Sequence, residues 1–91
     1  MTEVLTNVVD DVLRKTLGAY GYDHADVKPG EDHDGEPALF IDAVLKPNSK
    51  LVEAEIYSEA HRALSDILLK NGERRFPYLY LRHPDDERAE S

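Results

Sequence analysis

Apolar side chains recur at helical spacing in two segments of the chain. Between residues 3 and 17 they return every three or four positions, and Gly18 suits the C-terminal stop of such a helix. A second segment, residues 51–70, has the same period, and Asn48 or Ser49 just before it is a residue type that caps helix N-termini. The pattern therefore predicts two amphipathic helices, each with one apolar face to bury.

Three shorter segments have the pattern of β-strands. In residues 38–46 apolar side chains alternate along the chain, as in a half-buried strand. Residues 22–28 predict its hairpin partner, with a turn-rich stretch, residues 29–37, between the two. Residues 76–82 predict a third strand, and Pro77 favours the edge of a sheet because proline has no N–H for a central ladder.

The predicted order of elements is α-β-β-α-β. It indicates an α+β fold, a two-layer α/β sandwich with both helices on one face of a three-stranded sheet. We expect residues 1–84 to form a single domain and residues 85–91 to form an acidic, disordered tail. The pattern leaves open whether the third strand neighbours the first or the second.

The chain is acidic, and its charge is unevenly distributed along the sequence. Nineteen Asp and Glu against eleven Lys and Arg give a net charge of −8, of which residues 23–36 carry −5 and residues 85–91 carry −3. Such a field repels phosphate backbones and anionic membrane surfaces, so we expect neither nucleic acid nor a membrane as partner. Cysteine is absent, which excludes disulfides and thiolate metal sites. The N-terminus has no signal-peptide pattern, and the expected location is the cytoplasm.

The acids of residues 31–36 invite comparison with a calcium-binding loop. When Gly35 is aligned with the EF-hand glycine, Gly30 and Ile41 fall at the first and last ligand positions, where neither supplies a ligand. The EF-hand pattern therefore fails, and we expect a solvated turn.

Four histidines are the other candidate metal ligands. His24 and His33 flank one predicted hairpin and would have to approach each other to share a metal ion. His61 lies at the rim of an apolar helix stripe, and His83 follows the third strand. We predict no resident metal or cofactor. A metal-responsive domain that uses His24, His33 and the hairpin carboxylates remains an alternative.

The sequence contains no recognisable catalytic arrangement. None of the four serines lies in a GxSxG elbow, and no glycine-rich phosphate loop occurs. We therefore predict no catalytic residues and no enzymatic activity. Four basic residues lie near the end of the second helix and in the third strand, and their charge could simply complement the carbonyl end of that helix. If they contact RNA instead, the protein is an RNA-binding domain similar to KH domains, which is the second alternative. The four basic residues are Lys70, Arg74, Arg75 and Arg82.

Aromatic residues cluster on the predicted strands. If the leucines and isoleucine of the second strand face the helices, then Phe40 and Val44 face away from them. The same alternation turns Tyr78 and Tyr80 outward. An uncovered aromatic sheet face on an acidic body favours a protein interface, so we predict a small interaction module that binds itself or a protein partner. The candidate partner-binding residues are Tyr22, Phe40, Val44, Tyr78 and Tyr80.

Three resemblances accompany this interpretation. Residues 20–42 resemble short uncharacterised bacterial proteins of similar length, and that likeness implies no activity. The α-β-β-α-β order is similar to that of type II KH domains, although a basic face is missing. It is also similar to that of the cytoplasmic domains of cation-efflux transporters, through Phe40-Ile41-Asp42, Ala60-His61 and His83. These resemblances imply a fold and transfer no site residue.

Overall fold

The computed structural model describes residues 2–47, 49 and 51–83, with side chains from residue 5 onward. Its elements are α1 (Thr2–Leu17), a 3₁₀ turn (Gly18–Tyr20), β1 (Tyr22–Glu31), β2 (Pro37–Leu45), α2 (Ala54–Lys70) and β3 (Phe76–Arg82). This order confirms the predicted α+β fold. The predicted tail, residues 85–91, lies outside the described residues.

The three strands form one mixed sheet in the order β1-β2-β3. β1 pairs with β2 in antiparallel fashion, and β2 pairs with β3 in parallel. The third strand therefore neighbours the second, which the sequence pattern left open. Pro77 lies in an edge strand, as predicted, so its missing N–H costs the central ladder nothing.

The core lies between the helices and one face of the sheet. In β2 the side chains of Leu39, Ile41, Ala43 and Leu45 are buried, while Phe40 and Val44 between them are half-buried. The helices contribute Val9, Leu13, Leu17, Ala60, Leu64 and Leu68 to the same cluster. The predicted register of β2 is confirmed, because strict alternation puts neighbouring side chains on opposite faces of a strand.

β1 is longer than the sequence pattern predicted. It continues to Glu31, so Pro29 and Gly30 belong to the strand and not to the turn. Pro29 is tolerated because β1 is an edge strand. Gly30 is required by its neighbour strand, since a Cβ there would lie 2.8 Å from the ring of Phe40. Turn propensity was overridden by cross-strand packing, and only residues 32–36 form the connection.

The predicted cap of α2 is also wrong. The helix begins at Ala54, later than expected, and Glu53 occupies the N-cap position without a side-chain hydrogen bond. Asn48 lies outside the described residues. Ser49 packs against Gly21, where an added Cβ would lie only 2.5 Å from the Ser49 Cβ. Ser49 therefore packs against Gly21 beside the start of β1 and does not cap α2.

A β-bulge at the start of β1 changes which face Tyr22 occupies. The register shifts between Tyr22, which pairs with Leu45, and His24, which pairs with Val44. Because the extra residue breaks the alternation, Tyr22 is on the helix side while His24 is on the opposite side. Tyr22 is only 3% exposed, so its predicted place on the outward aromatic face is wrong.

Candidate interaction surface

The sheet face that carries Phe40, Tyr78 and Tyr80, opposite the helices, is called the open face below. The strand register arranges its side chains in rows, because residues paired across strands share a face. The four rows are Gly30, Ala38, Phe76; Lys28, Phe40, Tyr78; Asp26, Asp42, Tyr80; and His24, Val44, Arg82. Four of the five predicted candidate residues, all except Tyr22, therefore lie on one surface.

Aromatic rings pack against one another at one end of the open face. The rings of Phe40 and Tyr78 stack with centroids 5.6 Å apart and an interplanar angle of 17°. Phe76 meets Tyr78 edge-on at 4.8 Å, so it extends the aromatic surface by one residue. Phe76 and Tyr80 are 51% and 48% exposed, which is high for large aromatic side chains. Phe76 was missed as a candidate, although it shares the strand parity of Tyr78 and Tyr80.

Tyr22 has a structural role on the other side of the sheet. Its hydroxyl donates a 2.7 Å hydrogen bond to Oδ1 of Asp10 in α1. The Arg14 guanidinium lies 5.2 Å from the centre of the Tyr22 ring and also bonds to Asp10. Burial, together with this hydrogen bond to Asp10, raises the pKa of Tyr22 well above its ordinary value. The same hydrogen bond lowers the pKa of Asp10. Tyr22 thus fixes α1 on β1.

Asp32 ties the hairpin tip to the open face. Its Oδ1 accepts 2.9 Å hydrogen bonds from the amides of Asp34 and Glu36, and its Oδ2 accepts one of 3.1 Å from the Tyr78 hydroxyl. The Glu36 amide is the main cause of the lowered pKa of Asp32. These bonds occupy both carboxylate oxygens, so Asp32 organises the turn and orients Tyr78.

The charges at the strand positions of the open face balance, unlike those of the chain, and the Asp32 carboxylate adds one negative charge at the hairpin end. The positive charges of Lys28 and Arg82 offset the negative charges of Asp26 and Asp42. With His24 counted as neutral, the net charge of these strand positions is 2 − 2 = 0. Arg82 approaches Asp42 with 3.3 Å between Nε and Oδ1. A flat, half-apolar surface with both signs of charge is typical of a protein interface.

The candidate metal ligands do not come together. His24 lies near the start of β1 and His33 in the turn after its end, which separates them by more than about 20 Å along the strand. His61 lies on α2, and His83 follows β3. Within residues 2–47, 49 and 51–83, no group of three or more His, Cys, Asp or Glu side chains is placed to hold a metal ion. The pairing of His24 with His33 is therefore not supported.

The basic residues do not share one surface either. Arg75 is held by Glu73, with hydrogen bonds of 2.8 and 2.9 Å from its guanidinium to the two carboxylate oxygens. Arg82 stands at the far end of β3 and pairs with Asp42. An RNA-binding surface would need these cations side by side and turned toward the phosphates.

We predict a pH-dependent contribution of the Glu73–Arg75 pair to stability. Hydrogen bonding from Arg75 lowers the pKa of Glu73 to about 2. A depressed carboxyl pKa stabilises the fold at pH values above the ordinary pKa, and this contribution is lost as the pH falls through the folded-state value. Urea unfolding of Glu73→Gln should therefore show a loss of stability near neutral pH that shrinks below about pH 4. The control is Glu59→Gln, at an exposed glutamate; a Glu73→Gln deficit that stays constant with pH would contradict the prediction.

The geometry defines a small α+β protein with an aromatic sheet face that no helix of the described residues covers. Neither a comparison with protein-family models nor one with curated proteins finds a match for this chain. In the part of the chain that the structure describes, no helix is long and apolar enough to cross a membrane. The open face is accordingly the candidate functional site.

Proposed function

We propose that this protein is a cytoplasmic interaction module without catalytic chemistry, and that its open face packs against the open face of a second copy. The observation that supports the proposal is the stacked pair of Phe40 and Tyr78, with Tyr80 and Val44 beside it, on a face where the described residues place no helix. Burying apolar area of this kind contributes roughly 25 cal/mol per Å².

The charge pattern favours a second copy over an unrelated partner. A chain of net charge −8 repels its own kind, and the open face is a region where the charges of the strand positions cancel. A two-fold contact uses the same patch on both subunits, so each patch must carry complementary charges. On β1 the open face carries both Asp26 and Lys28, which allows each copy to offer the other an opposite charge.

The proposal is tested by the mass of the protein in solution. Light scattering should give about twice the chain mass of 10.3 kDa for the unmodified protein at high concentration. Phe40→Ser removes the central ring of the open face and should shift the mass toward that of the monomer. The matched control is Leu69→Ser on α2, which also removes a large exposed apolar side chain, 63% exposed.

Two results would contradict the proposal. One is a monomeric mass for the unmodified protein at the highest concentration measured. The other is an equal loss of association in Phe40→Ser and Leu69→Ser, since only the first substitution lies on the open face. In either case, addition of zinc and of RNA to the protein tests the two alternative functions directly.

A further inference from the structure

A groove runs between α2 and the outer edge of β3, at the margin of the helix-packed core. Its volume is about 290 Å³. Five aromatic rings line it: Tyr57, His61, Phe76, Tyr78 and Tyr80. Such a concentration of rings around one concave surface is the feature that recognises cations and other groups able to pack on π-faces.

The polar atoms of the two helix residues are engaged by backbone carbonyls of β3. The Tyr57 hydroxyl donates a 2.6 Å hydrogen bond to the carbonyl of Leu79, and Nε2 of His61 lies 2.9 Å from the carbonyl of Pro77. Because a carbonyl oxygen only accepts, this His61 nitrogen carries the hydrogen. Pro77 has no N–H to offer, so addition of a further strand along this part of the edge is opposed. The groove presents ring faces in place of backbone groups.

Four of the five rings form a continuous series across the groove. Tyr57 and His61 lie nearly parallel, with centroids 6.4 Å apart, and His61 lies 5.5 Å from Phe76. Phe76 in turn contacts Tyr78 edge-on at 4.8 Å. Each ring is fixed by the next, so the surface is organised before a ligand arrives, which lowers the entropy cost of binding.

Acidic residues lie beside the groove near Ser58, whereas Arg74 and Arg75 line a hollow that shares Phe76 and Pro77 with it. Among the described residues, no Lys or Arg lines the groove itself, and three exposed acids lie near the start of α2: Glu53 at the N-cap, and Glu55 and Glu59 within the helix. Glu55 and Glu59 also line an adjacent hollow, which shares Ser58 with the groove and ends at Arg62. Aromatic faces next to carboxylates are complementary to a basic side chain: the rings attract the cation and the acids attract its neighbours.

We propose that the groove binds a basic segment of a partner protein, with an Arg or Lys side chain among the rings and further basic residues along Glu55 and Glu59. This surface is separate from the self-association proposed for the open face. The two share Phe76, Tyr78 and Tyr80, which contribute to both, so a test of the groove has to use residues outside that overlap.

The probe is a fluorescently labelled heptapeptide that contains two arginines, compared with the same peptide in which citrulline replaces both. Citrulline keeps the shape of arginine and lacks its charge. The arginine peptide should bind and shift the amide NMR signals of residues 57–61 and 76–80, while the citrulline peptide should not. Tyr57→Leu, on α2 and outside that overlap, keeps an apolar side chain and removes a ring of the groove, and it should weaken binding by about two- to fivefold.

A pair of double variants separates a specific site from general attraction to an acidic protein. Glu55→Gln with Glu59→Gln and Glu31→Gln with Glu36→Gln each change the net charge from −8 to −6. Only the first pair lies beside the groove, so only it should weaken binding several-fold. Equal weakening by both pairs, equal binding of the citrulline peptide, or NMR shifts confined to the hairpin would each overturn the proposal. Far-UV circular dichroism of every variant confirms that the fold is retained.

Discussion

Replacing Ile41 with alanine is expected to destabilise the protein by about 2–5 kcal/mol, through lost burial and the cavity left behind. Ile41 has no exposed surface and lies in the central strand, where it pairs with Val27 on one side and Leu79 on the other. Both neighbouring strands hold the backbone in place, so the site has little freedom to collapse around the smaller side chain. Chemical denaturation of the variant measures the loss.

The matched comparison is Phe40→Ser at the neighbouring position on the opposite face. Phe40 is half-buried and contacts Tyr78 and Gly30, so its replacement should cost the isolated fold much less than Ile41→Ala. If Phe40→Ser unfolds the protein and Ile41→Ala is tolerated, the aromatic face is the true core. The proposal that this face is an interface would then be wrong.

The second large effect is expected for Gly21→Ala. Gly21 has φ = +90°, a conformation that costs an L-residue roughly 1–2 kcal/mol, and an added Cβ would lie 2.5 Å from the Cβ of Ser49. Relief of that contact requires a backbone shift, for which overpacked sites typically cost about 1–3 kcal/mol more. The Gly21 carbonyl also accepts a 2.8 Å hydrogen bond from the Lys46 amide, so a shift there would strain the exit of β2.

Two comparisons separate the conformational cost of Gly21→Ala from the cost of its contact with Ser49. Gly35→Ala, with φ = +81° and no atom within 4 Å of the added Cβ, should show only the conformational cost. Adding Ser49→Gly to Gly21→Ala removes the crowding atom and should recover the remainder. Denaturation midpoints of the unmodified protein, Gly21→Ala, Ser49→Gly and the double variant form a cycle. An equal loss in Gly21→Ala and Gly35→Ala would show that contact with Ser49 carries no energy.

The alternation along β2 allowed much of this structure to be predicted from the sequence. Once Leu39 and Ile41 are placed against helices, Phe40 and Val44 must face away, and that reasoning located four of the five candidate residues. The helix period likewise gave both helices, because a repeated apolar stripe is a property of the local sequence.

The sequence-based predictions that are wrong share one physical cause. The bulge that turns Tyr22 inward, the inclusion of Gly30 in β1 and the use of Ser49 for packing all depend on a residue elsewhere in the chain. Local turn and cap preferences are weak compared with such contacts, and a single sequence does not reveal them. The groove was missed for the same reason, since Tyr57 and Phe76 are brought together only by the docking of α2 on β3.

The parallel pairing of β2 with β3 also bears on the order in which the molecule assembles. The hairpin closes over a five-residue turn, whereas the contact of Ala38 with Phe76 joins positions 38 residues apart. Contacts that close long loops form late, because closing the loop costs conformational entropy before the contact contributes any stabilisation. A chain that has formed its hairpin and helices but not yet added β3 lacks half of the Phe40–Tyr78 pair and the whole β3 wall of the groove. Both proposed binding surfaces are completed by the same late event, so a partner that recognises either one selects for chains that have finished folding.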